Sequence, residues 1–339
     1  MASVNQDRPV DVYGIGNALV DTLVFAEEDF LGKHGLNKGA MTLADGETQA
    51  NILIDLQDLS LELRSGGSAA NTVWAVSRSG GRAVYTGKVS NDPNGEFYRR
   101  DLRAAGIELL CEPLSEDHGP TGTCVVLTTP DAQRTMCTHL GVSVRLSRDD
   151  IMLETIKKSK VVYVEGYLWL NDSTRAASEH AMQLARENGA LVAFTFSDPF
   201  VVESHRVDFE RIAREHCDLV FCNAVEVCAF AGTEDLTGAV DRLSEVVDLG
   251  FVTHSEHGCF VIDHARIDTV PGFPVRAMDT NGAGDAFAGG TLFALTNGYN
   301  ARKAGRWGNY LGAQIVQVHG ARLQNRYEDH VHEILGPEA

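Results

Sequence analysis

Asp279-Thr280-Asn281-Gly282-Ala283-Gly284-Asp285-Ala286-Phe287 is a run of small residues that leads directly into a helix pattern, because the apolar residues continue through Phe293. Small residues let an anionic group approach the backbone, and the first-turn N–H groups of a helix have no acceptor within it. Those donors and the helix dipole suit charge developing on a transferred phosphoryl group. Asp285, in the same turn, would face the attacking hydroxyl and accept its proton. Base and anion hole would then lie within one helical turn, the arrangement that positioning catalysis requires. An ordinary Gly-rich turn with an aspartate capping a helix uses the same residue types, so the segment alone leaves both readings open.

Upstream, short β-rich runs alternate with helical segments. Val10–Gly16, Ala83–Val89, Val161–Val164, Leu191–Phe196, Leu219–Cys222 and Phe251–His254 read as buried strands. Ala69–Ser79, Gly95–Ala105, Ser173–Glu187, Thr237–Val247 and Ala283–Thr296 read as helices between or after them. The alternation predicts an α/β fold with a mostly parallel central sheet covered by helices on both faces. Two segments break it: 22–44 and 111–140 are rich in Thr, Val and Gly and lack helix periodicity. They read as strands of a small sheet projecting from the main body, placed to act as a lid that excludes water. No linker divides the chain, so residues 1–339 are expected to form one domain with this discontinuous β lid.

With 47 acidic and 29 basic residues the formal net charge is −18, which repels phosphate backbones and anionic lipid. Nucleic acid and membrane are therefore poor partners, whereas a small anion site built from backbone N–H groups is still compatible with this charge. Met1–Val10 lacks the apolar region of a secretory signal, and no run reaches the length of a membrane span. The seven cysteines form no C-x-x-C pair and read as reduced, mostly buried thiols, which suggests a cytoplasmic protein. There is no G-x-x-x-x-G-K-[ST], no full dinucleotide fingerprint after Gly14, and no H-R-D or D-F-G set.

Three further stretches add to the 279–287 string. Gly66-Gly67-Ser68-Ala69-Ala70-Asn71 is a loop-to-helix junction in which Ser68 is a possible cap. Gly87-Lys88-Val89-Ser90-Asn91-Asp92-Pro93-Asn94-Gly95 follows a strand, and Asn223-Ala224-Val225-Glu226 is an N-x-x-E whose amide and carboxylate would share a helix face. Together these resemble the signatures of the PfkB (ribokinase-like) family of carbohydrate and nucleoside kinases, over about Asp11 to Val318. Ser90 stands where the family's G-x-V-G-x-D-x-x-G has glycine.

The resemblance implies a ribokinase-like three-layer α/β/α fold and an ATP-dependent kinase. It gives Asp285 as base, Gly282, Ala283 and Gly284 as the anion hole, and Arg134, in the lid segment, beside the transferred phosphate. Asn17, Asp21, Gly66, Gly67 and Asn71 would meet the acceptor's hydroxyls. Asn223, Thr253, Ser255, Gly258, Gly282, Gly284 and Asn309 would meet ATP, with Ser255 replacing a family glycine. Mg²⁺ would be held near Asn223 and Glu226 through water, and whether a monovalent cation is also required stays open.

Finer features resemble the adenosine-kinase branch: Gly16-Asn17-Ala18-Leu19-Val20-Asp21, Asp29-Phe30-Leu31-Gly32-Lys33-His34-Gly35-Leu36, Pro120-Thr121-Gly122-Thr123-Cys124 and Phe196-Ser197-Asp198-Pro199-Phe200. A purine needs an aromatic wall, for which Tyr167 and Trp169 are candidates and Phe200 a weaker one. Gly166-Tyr167-Leu168 replaces the Gly-Phe-Phe of animal adenosine kinases. The expected activity is transfer of the ATP γ-phosphoryl group to the 5′-hydroxyl of a ribonucleoside, adenosine first, giving AMP. The alternatives are a fructokinase- or ribokinase-like sugar kinase on the same fold, and a non-catalytic nucleoside-binding sensor. The expected partners are ATP and a small acceptor, with the chain a monomer or homodimer.

Overall fold

Val161-Val162-Tyr163-Val164 has no polar face, so a strand of this composition must be covered on both sides. The computed structural model describes residues 4–131, 133–264 and 266–337 and meets that requirement. Val161 and Tyr163 enter one hydrophobic core, and Val162 and Val164 enter the other.

Among the described residues the strands are β1 (Val10–Ile15), β2 (Leu19–Phe25), β3 (Met41–Leu43), β4 (Glu62–Gly66), β5 (Ala83–Thr86), β6 (Glu108–Leu109) and β7 (Gly122–Thr128). They continue as β8 (Arg134–His139), β9 (Ser159–Glu165), β10 (Leu191–Thr195), β11 (Leu219–Asn223), β12 (Leu249–Thr253), β13 (Cys259–Asp263) and β14 (Arg266–Val270). The large sheet has the order β14-β13-β12-β11-β10-β9-β1-β5-β6. It is parallel from β6 to β12, and β13 and β14 add an antiparallel edge.

One face is covered by the helices Ser68–Arg78, Ala283–Thr296 and Ala301–Ile315, which contribute Val73, Leu292 and Trp307 to the first core. The other is covered by Asp172–Glu187, Pro199–Glu215 and Ala224–Ala231, through Ala181, Phe209 and Val227. This is the three-layer α/β/α architecture anticipated from the strand–helix alternation. The helix Ala283–Thr296 has the expected limits. The strand expected at Ala83–Val89 stops at Thr86, and the helix expected at Thr237–Val247 spans Leu236–Ser244.

The second sheet, β3-β8-β7-β2-β4, differs from its forecast in composition. It starts at Leu19 rather than at 22 and takes β4 from residues 62–66. Residues 111–121 lie outside it. The 22–44 segment contains a helix, Glu28–Lys33, too short to show a period. With the helix Gly46–Asp55 it covers one sheet face, where Leu31, Ile52 and Leu56 pack on Val24, Val125 and Leu127. Register fixes the opposite face: Asp21 pairs with Cys124, Leu23 with Val126, Val126 with Met136, and Thr128 with Arg134. Because side chains alternate, Asp21 and Arg134 share the face that carries no helix.

All seven cysteines are free thiols, five buried and Cys217 and Cys228 half-buried. No helix among the described residues is long and apolar enough to cross a membrane.

Candidate active site

Parallel strands bring chain segments together at their carboxyl ends, and open α/β sheets use that edge for ligands. Here Gly16-Asn17 follows β1, Glu165 ends β9, Ser197-Asp198 follows β10, Asn223 ends β11 and Thr253 ends β12.

The 279–287 loop meets this edge from the helix side. Gly282 caps the helix Ala283–Thr296 with φ 74°, a left-handed value that favours glycine. A Cβ there would lie 2.5 Å from the Ala321 carbonyl oxygen, so both conformation and space require glycine. Asp279, fully buried, holds the loop by accepting from Asn281 N at 2.8 Å and Gly320 N at 2.9 Å. Ala283 N–H reaches Thr280 O at 3.3 Å. Gly284 is exposed, and the space beside its Cα is open, as an approaching anion needs.

Asp285 stands half-buried in the first helical turn. Its Oδ1 accepts from Ser68 Oγ at 2.7 Å and its Oδ2 from Asn71 Nδ2 at 2.9 Å. Burial raises its pKa, while Asn71, Ser68, Arg134 and Arg322 pull it down. Ser68 is thus not the cap that its position suggested. Gly67 occupies the cap position, and the Ser68 hydroxyl crosses to a carboxylate 217 residues away.

The glycine pair also has a steric reason. A Cβ on Gly66 would collide with the Asp21 carboxylate, and one on Gly67, at φ 92°, with the Asn17 carbonyl. Asp21 and Asn17 are both buried. Burial pushes the Asp21 pKa up to about 7, and Asp285 adds to the rise against Arg322 and Arg134.

Two charged residues in this network went unassigned in the motif reading. Glu165 Oε1 accepts from Asn17 N at 2.8 Å and Asn17 Nδ2 at 3.0 Å, and its Oε2 accepts from Ala69 N at 2.7 Å. Burial raises its pKa to about 7 against those three donors. Its one visible signal was a carboxylate ending an otherwise apolar strand. Arg322 is 4% exposed and donates from Nε to Asn71 Oδ1 at 3.0 Å. It also reaches Ser65, Asp101 and Gly66 O, and stacks 4.7 Å from the Trp74 ring centroid. Nothing in its local sequence marks it.

Arg134 sits on β8 with NH1 3.3 Å from Met136 Sδ, and its charge acts on Asp21, Asp198, Glu226 and Asp285. Tyr167 is half-buried at the β9 exit, and burial raises its pKa first, with Asp198 adding. Trp169 does not line a base slot. It is 2% exposed and packs edge-on against Phe194 and Phe209, 5.2 and 5.7 Å between centroids. Within the turn Gly166–Leu170, Leu168 and Trp169 are buried in the second core, and Tyr167 is only partly buried at its margin. Phe200 is exposed.

On the expected nucleotide side, Asn223 is the cap of the helix Ala224–Ala231 and not a residue within it. Its Oδ1 accepts from Val225 N and Glu226 N at 2.9 Å, and its Nδ2 donates to Glu226 Oε1 at 2.6 Å. Glu226 Oε2 accepts from Asn223 N at 3.0 Å, completing a capping box. Burial, with Asp198 and Asp285 nearby, raises the Glu226 pKa to about 8. Each carboxylate oxygen keeps a further lone pair, which is compatible with a divalent cation reached through water. Among the described residues no three His, Cys, Asp or Glu side chains are grouped to hold a metal ion directly.

Thr253 ends β12, and Ser255 in the next turn has φ 46°, which explains why the family favours glycine there. Gly258, at φ 95°, has no room for a Cβ against the Val270 carbonyl. Ser90, the other serine in a glycine's place, has no positive φ and lies buried with its N–H on Thr121 Oγ1 at 2.9 Å. Asn309 is 8% exposed, and its Nδ2 donates to Val270 O at 3.0 Å and Pro271 O at 3.2 Å. Its amide therefore ties the late helix to the β14 end, and its Oδ1 is what remains for a ligand.

A half-buried aspartate thus stands at a helix start beside open glycine backbone, at the edge of a mostly parallel sheet. Residues 54–326 match the model of the pfkB family of carbohydrate kinases. The chain belongs to that family of ATP-dependent phosphotransferases with an alcohol group as acceptor. It is 28% identical over 326 residues to a Saccharomyces cerevisiae protein named adenosine kinase, covering 90% of this chain and 94% of that one. The structure of adenosine kinase from Sinorhizobium meliloti superposes with a TM-score of 0.92 at 35% identity, covering 96% of this chain and 99% of that one. A probable sugar kinase from Rhizobium etli gives a TM-score of 0.92 at 31% identity, covering 96% and 98%.

Proposed function

We propose that this protein transfers the ATP γ-phosphoryl group to the 5′-hydroxyl of a ribonucleoside, adenosine in the first place. The observation that carries the reading is Asp285, held by Ser68 and Asn71 at the start of a helix whose neighbouring backbone is open. Asn17 and Asp21 would hold the ribose hydroxyls, a carboxylate being able to accept two at once. Glu165 binds Asn17 through its N–H groups, which leaves Asn17 Oδ1 to accept from a hydroxyl.

With the acceptor held there, Asp285 takes the proton of the attacking hydroxyl. The N–H groups of the 282–284 turn receive the negative charge of the transferring group, and Arg134 adds a positive charge from the lid sheet. Mg²⁺, held through water near Glu226 and Asn223, would neutralise phosphate charge. Tyr167 is the aromatic wall available to a base. Adenosine is favoured by the relatives of that name, whose similarity runs over nine-tenths of the chain or more. A sugar kinase is the second reading, supported by the Rhizobium etli relative at 31% identity. Action in the cytoplasm, as a monomer or homodimer, completes the proposal.

ADP release from Mg-ATP decides among acceptors when adenosine, other ribonucleosides, ribose and fructose are offered in parallel. Turnover with adenosine and not with free sugars is the expected result. Turnover with ribose or fructose alone would replace the nucleoside by a sugar, and no turnover with any acceptor would leave a binding protein.

A further inference from the structure

An asparagine amide has a donor end and an acceptor end of nearly the same shape, so its neighbours must decide which end faces which way. Asn71 lies between an anion and a cation: Nδ2 is 2.9 Å from Asp285 Oδ2, and Oδ1 is 3.0 Å from Arg322 Nε. A guanidinium only donates, so Arg322 requires the carbonyl end. The NH₂ end is thereby turned onto Asp285. The reversed amide would set its oxygen against the carboxylate and its NH₂ against the guanidinium, two repulsive contacts in a buried place.

Arg322 is itself built in and not a loosely held surface charge. Besides Asn71 it bonds Ser65, Asp101 and the Gly66 carbonyl, and its Cζ lies over the Trp74 ring. Ser65 also bonds Asp101, so the far side of the guanidinium is fixed by two partners that hold each other. The residue comes from the stretch after Gly320, whose N–H is held by Asp279 of the anion-hole loop.

We propose that Arg322 is a positioning residue of the phosphoryl-transfer site, which orients the Asn71 amide and through it holds the Asp285 carboxylate in the rotation that accepts the hydroxyl proton. The inference rests on Asp285 being the base, as argued above. Arg322 touches no reacting atom; its charge lowers the Asp285 pKa directly, and its orienting effect passes through Asn71. The other groups whose charge acts on Asp285, or on which Asp285 acts, are Arg134 on the lid sheet, the carboxylates Asp21, Glu165 and Glu226, and the phenols Tyr163 and Tyr167.

Arg322→Lys separates orientation from charge, because lysine keeps the positive charge but lacks the Nε–H that meets Asn71. Titration of the ¹³C-labelled carboxyl carbon of Asp285 in the unliganded protein, assigned by its loss in Asp285→Asn, reads the relay without turnover. The expected result is a titration at higher pH in Arg322→Lys, with kcat for phosphoryl transfer lowered about tenfold and KM for ATP unchanged. In an Asn71→Ala background the same substitution should add nothing to either.

An Asp285 titration identical in Arg322→Lys and wild type overturns the inference, whatever turnover does. Wild-type inactivity towards every acceptor would defeat the proposed function, while the carboxyl titration would still decide the relay. Asp101→Asn, at a partner that is only partly buried, loosens Arg322 without removing it and should move the titration the same way by less. If Arg322→Lys fails to fold, an unmoved titration in Asp101→Asn overturns the inference.

Discussion

The two halves of the site are built differently. On the proposed acceptor side Asp21, Asn17, Asn71, Glu165 and Arg322 are all less than a tenth exposed, and hydrogen bonds of 2.7 to 3.0 Å link Asn17 to Glu165, Asn71 to Arg322, and Asp285 to Ser68 and Asn71. On the expected nucleotide side Asn223 and Glu226 satisfy each other in a capping box, and the 255–257 turn is exposed with Ser255 at φ 46°. The acceptor half is held by bonds between residues 148 or more positions apart in the chain. The nucleotide half consists of ordinary turn and cap chemistry that a ligand joins. The acceptor half should therefore respond to mutation chiefly in kcat, and the nucleotide half in ATP affinity and in stability.

The strongest way to break this contrast is at Asp285. Asp285→Asn should lower kcat by about 10² to 10⁴-fold, the range for loss of a general base, while calorimetric ATP affinity stays near wild type. An unchanged kcat, or an equal loss of ATP binding, would remove the distinction.

A smaller effect is expected from pH. Asp21, Glu165 and Glu226 have folded-state pKa values raised to about 7, 7 and 8 by burial. A carboxylic acid with a raised folded pKa binds its proton more tightly when folded. Its contribution is therefore full below the unfolded pKa and is lost as pH rises through the folded one. The unliganded protein should accordingly melt several degrees higher at pH 6 than at pH 8.5. Glu226→Gln, on the nucleotide side, and Glu165→Gln, on the acceptor side, should each flatten that slope. Glu165→Gln should in addition raise KM for the acceptor, because the Asn17 N–H groups lose a charged partner. A melting temperature that rises with pH over this window would contradict the burial argument.

The smallest effect belongs to Ser255→Gly. Relief of a left-handed L-residue, set against the greater freedom of glycine in the unfolded chain, should stabilise by roughly 0.5 kcal/mol, read as a higher urea midpoint. Any change in function should fall on KM for ATP rather than on kcat. A loss of stability would show that Ser255 has a role beyond its turn.

The fold was largely legible because buried parallel strands write themselves as unbroken apolar runs, as in Val161–Val164, and because helix signals flank them. The small sheet was legible only in part. Glu28–Lys33 is too short to show a period, and β4 draws its place from pairing with β2 rather than from its own composition. Asp285, the proposed base, and the glycines of its loop were legible as local strings, since the chemistry proposed for them needs neighbouring residues on one turn. Trp169 misled because a cleft aromatic and a core aromatic look alike in sequence, two positions apart on the same turn.

By itself, then, the sequence determined the α/β class, the helix Ala283–Thr296 with Asp285 at its start, and the glycines at 66, 67, 282 and 258 that the backbone geometry requires. Only the tertiary structure decided what holds Asp285: Ser68 from 217 residues away, Asn71 from 214, and Arg322 set against Asn71 across 251. Hydrogen bonds over such separations leave no local period or spacing, because the positions are neighbours only once the sheet has brought its strand ends together.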